Sequence, residues 1–119
     1  MAYRIRFNVY DPTTGRRLTR HSDERELRPF VRVASTARLN GGVSGWVMSD
    51  GRVRIEGESA PGIRDAYHAI RQYADTCGWN VIFTLTANAA KVCNVPKQHS
   101  FVIHRNGPSR TLITERIDS

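Results

Sequence analysis

Long hydrophobic runs are missing from this sequence, and that absence argues against a membrane-spanning chain. No apolar stretch approaches the ~20 residues a transmembrane helix needs. Met1-Ala2-Tyr3-Arg4 leads directly into an alternating pattern with no apolar export segment, so cytoplasmic residence is expected. Cysteine is nearly absent: Cys77 and Cys93 are too few for a disulfide scaffold, and both are expected to be buried, reduced thiols. The histidines, His21, His68, His99 and His104, have no metal-ligand spacing with those cysteines, so no metal or cofactor is expected. No serine, cysteine or histidine arrangement suggests covalent catalysis. Lysine is scarce too, with only Lys91 and Lys97 among 18 cationic residues, so the positive charge is almost all guanidinium.

That guanidinium charge is unevenly placed. The chain carries +7 overall, and residues 1–38 hold nine arginines against four acids. Such a segment suits an anionic partner: nucleic acid, a phosphate-bearing ligand or an acidic protein surface. The candidate anion-binding residues are Arg4, Arg6, Arg16, Arg17, Arg20 and Arg28. The plain alternative is that arginine merely furnishes solvated faces.

Periodicity sets out the elements. Tyr3, Ile5, Phe7 and Val9 alternate with Arg4, Arg6 and Asn8, the pattern of a half-buried strand with arginine on its open face. Asp11-Pro12-Thr13-Thr14-Gly15 ends it in turn residues. Asp23 and Glu26 have capping-box spacing, but Pro29 favours a helix starting near Arg28, running to about residue 40 and stopped by Gly41-Gly42. Val43–Met48 and Arg52–Glu58 read as strands joined by an Asp50-Gly51 hairpin turn. Ser59-Ala60-Pro61 opens a second helix; Ile63, Ala66, Tyr67, Ile70, Ala74 and Cys77 form its apolar stripe, and Gly78 ends it. Trp79–Ala87 suggests a fourth strand, residues 87–95 a helical turn or a loop, and His99–Arg105 another strand. Asn106-Gly107-Pro108 reads as a turn, and Arg110–Ile117 can supply a last strand at a sheet edge. Trp46 is expected to pack between sheet and helix, and His99 and His104 show no evident acid or nucleophile partner for catalysis.

The order strand–helix–hairpin–helix–strand predicts one α+β domain over residues 1–119, a ferredoxin-like split βαβ sandwich with two helices on one face of an antiparallel sheet and an added C-terminal strand. Arg28-Pro29-Phe30-Val31, Gly45-Trp46-Val47 and Asp50-Gly51 resemble the acylphosphatase domain, closest to the form at the start of hydrogenase-maturation carbamoyltransferases. The resemblance covers about residues 3–75. It implies a phosphate-cradling loop after the first strand, a phosphate-binding arginine at Arg28, and a water-positioning residue at Ser49, where the family has asparagine. The chain departs from that pattern in residues 11–27, whose one glycine is Gly15, and nests of amide groups around a phosphate usually need glycine.

These observations support a catalytically degenerate acylphosphatase-like domain that binds an anionic partner. The alternatives are an active acylphosphatase using Arg28 and Ser49, and a protein-binding inhibitor or adaptor that pairs through the edge strand at Arg110–Ile117 with a partner sheet or a second copy.

Overall fold

A computed structural model describes residues 2–38 and 42–103 in full, and the backbone of residues 110–112. The expected turn at Asn106–Pro108 and the tail beyond Leu112 lie outside the described residues. The elements, in chain order, are β1 (Tyr3–Tyr10), α1 (Arg20–Thr36), β2 (Val43–Val47), β3 (Val53–Gly57), α2 (Ala60–Cys77), β4 (Asn80–Leu85), α3 (Ala87–Cys93), β5 (Gln98–Val102) and β6 (Arg110–Leu112). The six strands form one sheet in the order β2-β3-β1-β4-β5-β6, with every neighbouring pair antiparallel. Since β3 runs opposite to both β1 and β2, those two are parallel and split by β3, which makes this an α+β split βαβ arrangement.

Period-two alternation decides which face each strand buries. Ile5, Phe7 and Val9 of β1, Val53 and Ile55 of β3, and Val81, Phe83 and Leu85 of β4 are all buried. Helix α1 packs on β2 and β3, α2 on β1, β3 and β4, and α3 against α2 and β4. Phe7 sits at the centre, with its ring 5.5 Å from both Phe30 of α1 and Phe83 of β4. The opposite face of the sheet carries Arg4, Arg6, Arg54, Glu56, Thr84 and Gln98 and is only partly shielded.

Helix α1 starts eight residues before the predicted Arg28 and ends at Thr36, short of the glycines. The early start is stabilised by reciprocal capping. Thr19 Oγ1 accepts from the Ser22 amide at 3.4 Å, while Asp23 Oδ2 accepts from the Thr19 amide at 2.9 Å. Asp23 itself leaves helical geometry (φ −125°, ψ 23°), so a single capped turn leads into the main helix. Pro29 lies inside that helix rather than in its first turn. Burial of Leu27, Phe30 and Ala34 against the sheet offsets the hydrogen bond a proline cannot make.

Helix α2 follows the expected signals: Ser59 caps Gly62 at 3.1 Å, and Gly78 closes the helix at φ 85°. Residues 87–93 are helical, resolving the ambiguous stretch. Cys77 is exposed at the last turn of α2, contrary to expectation, because the helix end extends past the sheet-covered stripe. Cys93 is buried, and burial pushes its thiol up to about 11.

Trp46 also departs from expectation: it is 40% exposed on the open face. The inward positions of β2 are Val43, Gly45 and Val47, and α1 lies directly over them. A Cβ at Gly45 would overlap Ile55 Cδ1, come within 3.0 Å of Arg54 O and press on Val31. The sheet–helix gap there has no room for an indole, so alternation sends Trp46 outward.

Candidate functional site

Residues 11–19 close on themselves. The Asp11 amide donates to Arg16 O at 2.9 Å, Gly15 N to Asp11 O at 2.8 Å, and Leu18 N to Val9 O at 2.8 Å. Asp11 Oδ1 accepts from the amides of Thr13 and Thr14, and Thr14 Oγ1 from the Arg16 amide. With Thr19 bonded to Asp23, seven amides of this connection already donate within the chain. Leu18 is buried beneath them.

Asp23 is the anchor. Besides the Thr19 amide, its carboxylate accepts a bidentate pair from Arg16, Nη1 at 3.0 Å and Nη2 at 3.1 Å. The Arg16 hydrogen bonds, reinforced by the Thr19 amide, hold the Asp23 carboxyl below its ordinary range. Asp23→Ala is expected to lower stability by about 2 kcal/mol through loss of the cap. Hydrogen exchange should speed up across residues 11–19 while α2 stays protected. Since the folded-state pKa is depressed, the stabilisation is present above the unfolded aspartate value and lost as pH falls through the folded one.

The predicted anion-binding arginines separate into three groups. Arg16 is held by Asp23, and Arg17 staples the hairpin tip, donating Nη1 to Asp50 O at 3.0 Å. Arg20 and Arg28 flank Glu24 on α1, at 3.9 and 2.9 Å. Only Arg4 and Arg6 lie on the open sheet face. The two residues implied by the family resemblance border different hollows. Arg28 lines a groove of about 380 Å³ with Arg20, Glu24, Val31, Arg32, Trp46 and Val47. Ser49 lines a hollow of about 180 Å³ with Arg6, Met48, Asp50, Arg52 and Arg54.

That second hollow gathers residues that sequence reasoning left out. Arg54 is the direct cross-strand partner of Arg6 on β1 and of Trp46 on β2. Its guanidinium lies 5.7 Å from the centre of the Trp46 ring, within cation–π range. Glu56 takes Nε of both Arg4 and Arg54 at 2.8 Å. Burial pushes the Glu56 carboxyl up, but the Arg4 hydrogen bond and the Arg54 charge together hold it below its ordinary value. Arg52 pairs with Asp50 at 3.3 Å. The Arg52 amide, bonded to Asp50 Oδ1, leads the effects that keep this carboxylate ionised. Arg6 has no carboxylate partner among the described residues. The alternation of Arg52, just before β3, and Arg54 within it is a visible signal, but β1 and β3 are neighbours only through a crossover.

A second polar cluster is buried beneath the sheet. His99 Nε2 meets Tyr67 Oη at 2.6 Å, and His99 Nδ1 meets Pro96 O at 3.0 Å, so its two nitrogens are taken up by a buried hydroxyl and a backbone carbonyl. The Pro96 carbonyl can only accept, which places the proton on Nδ1 and makes Tyr67 the donor to Nε2. Arg71 donates to Tyr67 Oη at 3.3 Å and covers the Phe101 ring at 4.6 Å. This cluster borders none of the hollows described above.

Among the described residues, no group of three or more histidine, cysteine, aspartate or glutamate side chains could hold a metal. Nor is any helix there long and apolar enough to cross a membrane. Fold and site together define an α+β protein whose antiparallel sheet and helices fit a split βαβ sandwich, with an arginine-bearing open sheet face. No protein-family model, curated protein or solved structure matches the chain.

Proposed function

We propose that this protein is a catalytically degenerate acylphosphatase-like domain of ferredoxin-like order, acting in the cytoplasm as a small basic binding module for an anionic partner. The strand order β2-β3-β1-β4 and the position of α1 and α2 on one face support the fold reading. The observation that carries the functional reading is the pairing of Arg6 with Arg54. Like charges placed directly opposite one another on adjacent strands destabilise a sheet; Glu56 pairs with Arg54, but among the described residues no carboxylate pairs with Arg6. An anion held between them, with Arg52 beside them, converts that repulsion into charge-assisted hydrogen bonding.

The same geometry supports the reading that hydrolysis is lost. An acyl phosphate needs amide donors, an arginine and a positioned water around one small anion. Here the connection's amides are bonded internally, Arg28 is paired with Glu24, and Ser49 borders another hollow.

The test is binding of heparin and of oligonucleotides as salt rises from about 50 to about 300 mM, where counterion release gives a steep loss of affinity. Arg6→Ala should weaken binding and flatten the salt slope by about 0.7 on single strands, as expected for one phosphate contact removed. Absence of binding at low salt overturns the reading. So does benzoyl phosphate turnover that Arg28→Ala abolishes, which identifies an active acylphosphatase instead.

A further inference from the structure

The two hollows are linked by the contact between Trp46 and Arg54. Trp46 stands on β2, the edge strand of the sheet, and lines the groove beside α1 together with Arg28, Arg32 and Val31. Its ring also carries the Arg54 guanidinium, and Arg54 in turn lines the hollow with Arg6 and Arg52. An exposed aromatic side chain is thus contiguous with arginines of both hollows.

We infer that this edge binds single-stranded nucleic acid, with one unpaired base stacked against Trp46 and the adjoining phosphates held by Arg6, Arg52 and Arg54. The inference rests on the anionic-partner reading above and adds which anion it is. An acidic peptide satisfies the guanidiniums but offers nothing to an exposed indole. A nucleotide supplies a phosphate and an aromatic plane together, and base–aromatic stacking combined with arginine is how sequence-tolerant single-strand binding is built. A duplex encloses its base faces in the stack and leaves the indole without a partner. The site has one exposed aromatic rather than a pair, so it selects unpaired strands with little preference among sequences.

The full chain tested against labelled oligothymidylate of about 15 nucleotides, the matching duplex and heparin separates the outcomes. Single strand is expected to bind more tightly than duplex. Trp46→Ala should weaken oligothymidylate binding by about tenfold or more and Trp46→Phe by no more than about threefold, while heparin binding is unchanged in both. Trp46 is exposed, so the variants should melt with the wild type, which excludes unfolding as the cause. Equal affinity for duplex, or wild-type binding by Trp46→Ala, overturns the inference while heparin binding leaves the parent reading standing. Failure of the wild-type chain to bind heparin or either oligonucleotide overturns both.

Discussion

Replacing Gly51 with alanine is expected to destabilise the protein by about 3 kcal/mol, a fall of roughly 10 °C in melting temperature. Two independent costs combine at this position. Gly51 closes the β2–β3 hairpin at φ +94°, where an L side chain is strained. The tip is also buried under the β1–α1 connection: an added Cβ would lie 2.8 Å from both Leu18 O and Thr19 Cα, and 3.1 Å from Arg20 N. Those neighbours are backbone, already fixed by Leu18 N on Val9 O and by the Asp23 clamp, so they cannot yield as a flexible side chain would. Arg17 on Asp50 O ties the same two segments together. The check is thermal melting of Gly51→Ala beside Gly15→Ala. Gly15 also has positive φ but nothing within 4 Å of a Cβ, so it should show only the backbone cost, about 1 kcal/mol. Equal losses in the two variants would mean that the hairpin does not dock beneath the connection.

His99→Ala is expected to cost about 3 kcal/mol, because it opens a cavity and leaves the buried Tyr67 hydroxyl without its nitrogen acceptor. His99 is fully buried and stacked on Phe83 at 5.0 Å, with Tyr67 and the Pro96 carbonyl on its two nitrogens. Burial lowers its pKa below the ordinary 6.5, and the Arg71 charge acts in the same direction. The neutral ring is therefore the folded form. Above 6.5 both folded and unfolded states hold it neutral and the stabilisation is complete. As pH falls through that value the unfolded chain takes up a proton that the folded chain refuses, and stability drops until the lowered folded-state value is reached. Melting temperatures between about pH 7.5 and about pH 5 should fall in the wild type and fall less in His99→Gln, which keeps a polar group but cannot titrate. Identical pH profiles would show that His99 is not the group responsible.

Much of the local structure was legible because it depends on neighbours in sequence. The alternation in Tyr3–Val9, the Asp50-Gly51 turn, the Ser59 cap and the Gly78 stop each follow from the backbone preferences of a few adjacent residues. Helix α1 starts earlier than a first-turn Pro29 predicts, because its start depends on Thr19, Asp23 and Arg16 meeting across a connection. Part of the candidate site was legible in the same way: Arg4 and Arg6 share the open face by simple alternation. The hollow that Arg6 borders was not, because Arg54 of β3 and Arg52 just before it come nearly fifty residues later.

The sequence by itself determined which residues of β1, β3 and β4 face the same way, where the hairpin turns and where α2 begins and ends. Only the tertiary structure decided that β3 inserts between β1 and β2, which sets Arg54 against Arg6 and beside Trp46. It also decided that α1 lies so close over Gly45 that the indole must face outward, and that Tyr67 reaches His99. The physical reason is range. Pattern and turn chemistry act over a few residues of backbone, whereas strand neighbours and side-chain partners follow from how helices and sheet pack together, which no short segment encodes.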